Sequence, residues 1–226
     1  MNEHVDTAPH AAPATRKGEE TRERILAVAR ELIHQHGFKQ TGLADILAAS
    51  RVPKGSFYFY FRSKEELAKE LLQRHRAGYR EAMERDVFPP DGEAIPQIVG
   101  FFRGSAQRQA ADGCKSGCLL GNLAAEIGDI HEDLRREVVA SFMEMRQVLT
   151  AVLARGQARG ELKTDFAPEQ AAEFLMSVME GSVLLAKARR EPAAFAAIES
   201  SLARYLETLR NPARPPSAVP PIGGTS

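Results

Sequence analysis

The sequence predicts an all-α protein, on three observations. Apolar residues recur at three- and four-residue spacing through most of the chain. No stretch shows the apolar–polar alternation of a half-buried strand, and no segment repeats. The breaks between periodic segments carry helix stop and start signals: Gly37 after a first apolar face, Ser63 with Glu66 three residues on, and the breaker "FPPDG".

Taken in order, the first helix is expected over about Glu20 to His36, with Ile25, Ala29, Leu32, Ile33 and His36 on one face. A short second helix is expected over about Gly42 to Ala49, turning Leu43, Ile46 and Leu47 inward. A third opens at Pro53, where a missing N–H costs nothing in a first turn. Ser63 and Glu66 form a capping box that starts a long helix to about Arg85. Further helices are expected over Glu93–Ala111, Leu119–Ile127, Glu132–Arg155, Pro168–Arg189 and Ala193–Leu209. Residues 1–18 read as a disordered Ala/Pro/Thr/His-rich arm and 211–226 as a disordered Pro/Gly-rich tail.

The 226 residues are 43% hydrophobic and 27% charged, an ordinary composition for a soluble globular protein. Net charge is zero, so any affinity for a polyanion must be local. Between Gly37 and Lys64, five bases (Lys39, Arg51, Lys54, Arg62, Lys64) face one acid (Asp45), a local excess of +4. No apolar run approaches the ~18 residues of a membrane span. The N-terminus lacks the apolar core of a secretion signal. A cytoplasmic location with reduced thiols is therefore expected for the two cysteines, and no membrane partner.

Two short helices joined by about three residues and braced by a longer one have the spacing of a helix-turn-helix. At 100° per residue the aromatic run "SFYFYF" splits. Pro53, Tyr60 and Phe61 lie within about 60° of an inward Phe57, while Gly55, Tyr58 and Phe59, flanked by Lys54 and Ser56, lie opposite. The outward set suits a DNA groove: lysine and hydroxyl donors, an aromatic ring for a thymine methyl, and a glycine that lets backbones approach. Lys64, in the first turn of the next helix, sits where an anion is favoured.

The segment from Thr21 to Leu72 resembles the DNA-binding domain of the TetR family of transcriptional regulators. The likeness rests on Thr21, Ile25, Ala29, Leu32, Gly37–Phe38, Ile46, Val52, Lys54–Gly55–Ser56, Tyr58, Tyr60–Phe61 and the Lys64/Leu67 pair. It implies an all-helical homodimer with a helix-turn-helix domain (19–65) and a ligand-binding and dimerisation domain (66–210). It also implies a double-stranded palindromic operator as partner, a small effector that releases the repressor, and no cofactor. The resemblance implies Lys54, Ser56 and Tyr58 as DNA contacts and Lys64 on phosphate; with the residues read directly from the segment, the candidate DNA-binding set is Thr41, Lys54, Gly55, Ser56, Tyr58, Phe59, Tyr60 and Lys64. Two positions depart from the family pattern. Gly42 stands where a hydroxyl is usual, leaving Thr41 as substitute N-cap and phosphate donor. Arg51 stands where the turn usually carries Gly; a left-handed conformation there costs roughly 1 kcal/mol, which a phosphate contact would offset.

In the C-terminal half, Phe174, Leu175, Val178, Ser182 and Leu185 form one stripe and Ile198, Leu202, Tyr205, Leu206 and Leu209 another. Paired with a second copy, these would make a four-helix interface; facing inward, they would be core. Met143, Met145, Met176 and Met179, with Phe101, Phe142 and Phe174, are candidates for an effector cavity or for plain core. "DGCKSGCLLGNLAAEIGD" places Cys114 and Cys118 in a loop leading into a helix. Cys118, Asn122 and Glu126 then follow at four-residue intervals on one face. Near a helix start and Lys115, Cys118 is expected to have a lowered thiol pKa and to react with oxidants or electrophiles; the bland alternative is a buried hydrophobe. The Gly–Cys–Leu context before "GNLAAE" is similar to a TetR branch that includes electrophile-responsive repressors. The competing readings are an activator or general DNA-binding factor with the same fold, and a thiol-dependent enzyme. No enzyme is expected: only His131 lies near Cys118 in sequence to serve as its base.

Overall fold

The computed structural model describes residues 15–127 and 131–213; the arm and tail assigned from sequence fall largely outside them. Ten α-helices and no strand occur among the described residues, with one isolated antiparallel bridge between Leu162 and Arg210. The helices are α1 (Arg16–His36), α2 (Leu43–Ser50), α3 (Lys54–Tyr60), α4 (Lys64–Ala77), α5 (Tyr79–Asp86), α6 (Ala94–Ala111), α7 (Leu119–Ile127), α8 (Glu132–Ala158), α9 (Pro168–Arg189) and α10 (Ala193–Thr208). None is long and apolar enough to cross a membrane.

Helix α1 begins earlier than the apolar pattern suggests, because Thr15 caps it: its hydroxyl accepts from the Gly18 N–H at 3.3 Å. Ile25, Leu26, Ala29 and Ile33 are its buried face. His36, expected inward, is exposed in the last turn, where the helix has run past the core. Pro53 is likewise exposed and caps α3 instead of entering it. The capping box at Ser63 forms, with the hydroxyl accepting from Glu66 N–H at 3.2 Å, and the Glu66 carboxylate reaches back to the N–H of Arg62. The helix it starts does not run to Arg85. It ends at Ala77, and Gly78 (φ −104°, ψ 2°) separates α4 from α5. Glycine is the weakest helix former after proline, and this one sits where α4 gives way to α5.

Two cores result. The first joins α1–α4, including Ile25, Ile46, Phe57, Phe61 and Leu67, to Leu120, Leu123 and Ile127 of α7 and Leu134 and Val138 of α8. The second lies among α6, α8, α9 and α10, around Ile98, Phe102, Leu153, Leu175, Leu202 and Leu206. The first core therefore continues from the N-terminal helices into the C-terminal ones through α7. Ion pairs close the α1–α4 seam: Arg22 grips Glu70 with both guanidinium nitrogens, and Arg74 reaches Glu23 at 2.6 Å and Glu70 at 2.8 Å. Arg80 on α5 holds Glu144 and Gln147 of α8, each at 2.8 Å.

Candidate DNA interface and sensor site

On α3 the aromatic run divides largely as the helical rotation predicts. Phe57 is 0% exposed and Phe61 1%, their rings 5.6 Å apart; Tyr58 is 47% exposed and Phe59 60%. Tyr60 is half-buried, edge-on to Phe59. Lys54, Gly55 and Ser56 are exposed, and a Cβ on Gly55 would meet nothing within 4 Å. The outer face of the helix is thus unobstructed while its inner face is anchored.

The turn before it carries the expected left-handed residue, Arg51 at φ 56°, ψ 41°. Arg24 of α1 fastens the end of α2 by donating from Nε to the Ser50 carbonyl at 3.0 Å. Beside α3 these residues line a groove of about 320 Å³ together with Thr15, Lys17, Thr21 and Ser56. Lys17 and Arg24, from the basic segment "TRKGEETRER" outside the 37–64 window of excess charge, join this groove through the fold.

Two expected contacts lie elsewhere. Thr41 does not cap α2: it is 2% exposed, and its hydroxyl donates to the Gly37 carbonyl at 2.7 Å. Gly42 is the N-cap, and the Asp45 carboxylate accepts from its N–H at 3.0 Å. This is the reciprocal half of a capping box; the bond that a hydroxyl at position 42 would accept has no side-chain counterpart here. Lys64 turns inward: its ammonium donates to the carbonyls of Phe38 (2.8 Å) and Thr41 (3.0 Å) and lies 4.2 Å from the Phe38 ring centroid.

The loop it holds, residues 37–42, also receives Glu126 from α7. That carboxylate accepts from the Lys39 N–H at 2.7 Å. Gly37 has φ +88°, and a Cβ there would fall 2.2 Å from Glu126 Oε1, so only glycine lets the carboxylate lie against the loop. Asn122, one turn earlier on α7, donates to the Ser116 carbonyl at 2.7 Å and accepts from Lys187 at 2.9 Å.

The cysteine loop is folded by Asp112, whose carboxylate accepts from the N–H groups of Lys115 (3.1 Å) and Ser116 (2.9 Å). Burial would raise this acid, but those bonds prevail and hold it below the usual range. Cys114 is fully buried in a left-handed conformation (φ 57°), against Val183, Ala186 and Phe195. The Gly117 carbonyl receives a bond from Gln109 at 3.1 Å and lies 3.0 Å from His34 Nε2 on α1, tying the loop to the N-terminal half.

Cys118 corrects an expectation. Its thiol is not lowered but pushed up to about 12, by burial first and then by the Glu180 carboxylate of α9. The helix-start N–H groups of Leu120 and Gly121 act in the expected direction but lose to those effects. The lysine that enters this site is Lys187, 3.2 Å from the Ser116 carbonyl, not Lys115. Cys118 and Glu180 both face a cavity of about 520 Å³ bounded by α1, α4, α5, α6 and α9; Phe101, Met145 and Met179 of the proposed effector set line it. Met143 and Phe174 are instead exposed, on α8 and α9.

The stripes on α9 and α10 also divide. Leu175, Ser182, Leu202 and Leu206 are buried in the chain's own core, whereas Phe174 and Leu185 stand 46% and 44% exposed. The Phe174 ring lies 4.7 Å from that of Tyr205, giving the two helices a shared outward aromatic pair.

Comparison with known proteins agrees with this architecture. Residues 25–71 match the model of the bacterial regulatory proteins of the tetR family, and residues 94–202 match a tetracyclin repressor-like C-terminal domain. The chain is 32% identical over 194 residues to the HTH-type transcriptional repressor NemR of Escherichia coli K12, covering 86% of this chain and 96% of that protein. It is 29% identical over 213 residues to the transcriptional regulator AcuR of Cereibacter sphaeroides, covering 90% and 97%. The crystal structure of E. coli NemR in its reduced form superposes with a TM-score of 0.78 at 30% identity, covering 86% of this chain and all of that one.

Proposed function

The chain belongs to the TetR family of bacterial regulatory proteins, and from that premise we propose that it is a transcriptional repressor binding a palindromic DNA operator as a homodimer, released when an electrophile or oxidant modifies Cys118. The observation that carries the DNA reading is the outer face of α3. Lys54, Ser56, Tyr58 and Phe59 are presented to solvent on a helix whose inner face, at Phe57, is completely buried. In this reading Lys54 and Ser56 contact base edges or phosphates and the Tyr58 hydroxyl donates to phosphate. Gly55 admits the sugar–phosphate backbone, and the Phe59 ring meets a thymine methyl. Tyr60 supports Phe59 from the side. Lys17, Arg24 and Arg51 extend the contact along phosphates. Thr41 and Lys64 act behind the interface, fixing loop 37–42.

A single short helix reads few base pairs, so two copies are needed to reach half-sites about one DNA turn apart. The exposed Phe174 and Leu185 of α9, with the half-buried Tyr205 of α10 beside Phe174, supply the dimer face. An effector releases DNA only to the extent that it favours the state that cannot bind. Here α7 is the link: Cys118 stands at its start, Asn122 in its middle, and Glu126 at its end against loop 37–42. The related repressor solved in a reduced form supports a thiol-dependent version of this scheme.

Selection of duplexes from a random pool, followed by footprinting, tests the first part: a protected palindrome is expected. Binding that rises and falls with salt alone, with no preferred sequence, sinks it. Mobility shifts of the selected duplex after N-ethylmaleimide treatment test the second part. Release is expected with the native protein and not with Cys118→Ser; equal behaviour of the two discards the thiol switch.

A further inference from the structure

Electrophile attack at Cys118 meets a difficulty that the site itself resolves. A thiol held near pKa 12 carries almost no thiolate at neutral pH, and the thiolate is the nucleophile. Yet the Glu180 carboxylate of α9 lies beside the thiol, the two facing the same spaces. That approach uses a notch in α7. Gly121 lies one turn after Cys118, and a Cβ on it would fall 2.8 Å from Glu180 Oε2 and 3.5 Å from the Cys118 Cβ. A methyl at this position would push the carboxylate end aside from the sulfur. Glu180 also opens on both spaces that expose Cys118, the cavity of about 520 Å³ and a cleft of about 260 Å³ between α7 and α9. An electrophile in either space therefore meets thiol and carboxylate together.

We propose that Glu180 is the proton acceptor for Cys118, and that the Gly121 notch exists to seat it. The inference rests on the reading of Cys118 as the reactive thiol and specifies how that thiol reacts. With an α,β-unsaturated carbonyl compound, the sulfur bonds to the β-carbon as its proton passes to a Glu180 oxygen. The C=C electron pair moves to form the enolate, and the proton then returns from Glu180 to the α-carbon. One S–C bond forms, one C=C becomes single, and the carboxylate is regenerated; no oxidant or reductant enters. The transfer needs Glu180 ionised. Burial raises this carboxyl above its ordinary value, keeping it basic enough to take a proton. The other titratable or charged groups around the site are Arg30, Glu31 and His34 from α1, His75 from α4, Tyr79 from α5, Arg108 from α6 with Asp112 just after it, and Lys187 from α9.

The test is the rate of Cys118 alkylation by N-ethylmaleimide, read by intact mass in a Cys114→Ala background across pH 5–9. Two roles for Glu180 predict opposite signs. If its charge merely perturbs the sulfur, Glu180→Gln removes a negative neighbour, the thiol pKa falls, and alkylation accelerates. If Glu180 takes the proton, the same substitution slows alkylation at pH 7 by about a hundredfold. It also replaces a profile that rises through a carboxyl titration and levels off with one that climbs steadily with hydroxide. Gly121→Ala, which displaces the carboxylate without removing it, is expected to slow the reaction in the same direction, and melting curves check that both variants are folded. Equal or faster alkylation of folded Glu180→Gln overturns the proposal. Absence of any Cys118 adduct in the parent protein overturns both this and the thiol switch. Glu180-dependent alkylation that leaves operator binding intact overturns the switch alone.

Discussion

The outer face of α3 and the surroundings of Cys118 are opposite solutions to placing reactive chemistry on a small helical protein. On α3 the side chains proposed to meet DNA stand exposed, and order comes from beneath, through Phe57 and Phe61. At Cys118 the polar neighbours already hold partners: Asn122 with Ser116 and Lys187, and Asp112 with the loop N–H groups. A DNA-reading surface must leave its donors free for an arriving partner. A switch must hold a defined resting state that a chemical event can upset. Stability should accordingly be insensitive to changes on the first surface and sensitive to changes beneath it and along the link between the two.

The largest expected effect strikes the support of α3. Phe57→Ala should cost about 3–5 kcal/mol in urea unfolding, because it empties a site with no solvent exposure, and operator binding should disappear with it. A loss below about 1 kcal/mol would mean the inner face does not hold the helix. Next comes the link. Gly37→Ala should cost about 2 kcal/mol, since it forces a non-glycine residue into positive φ and drives a methyl into the Glu126 carboxylate. Glu126→Ala alone should cost about 1 kcal/mol through the unpaired Lys39 N–H, and combining the two should cost less than their sum. Strict additivity would dissolve the contact between α7 and loop 37–42. Arg51→Gly should stabilise by about 1 kcal/mol in thermal unfolding by relieving the left-handed turn, yet weaken operator binding if Arg51 contacts phosphate. Smallest in stability is Lys54→Ala, within about 0.5 kcal/mol, while the salt dependence of DNA binding falls by about one ion. Should Lys54→Ala unfold the protein instead, the contrast between the two regions collapses.

The helices with long periodic faces were legible from sequence: α7 and α9 have the expected ends, and the split of the aromatic run follows from 100° per residue. The misses share a cause. Thr41, Lys64 and Cys118 were each placed by local rules, a cap, a helix start and a lysine nearby in sequence. Lys64 and Cys118 are each claimed by a residue from another element, Phe38 and Glu180, while Thr41 turns back within its own loop to the Gly37 carbonyl. One-dimensional spacing carries helix faces well because a face is periodic. It cannot show which carboxylate a folded helix will bring beside a thiol 62 positions away. Glu126 was singled out as the third member of a helix face with Cys118, and its partner, Lys39, 87 positions away, was not visible at all.

Gly78 gives the molecule a joint where a rigid shaft was expected. Its Cβ position is open, with nothing within 4 Å, so steric need does not dictate glycine there. A one-piece rod from Ser63 to Arg85 would turn every displacement of the effector-facing helices into an equal displacement of α3. Divided at Gly78, the two segments hold different partners: Arg74 of α4 pairs with Glu23 of α1, while Arg80 of α5 holds Glu144 and Gln147 of α8. Gly78→Ala, by favouring one continuous helix, is expected to change the dose of electrophile needed for release from the operator, read by mobility shift.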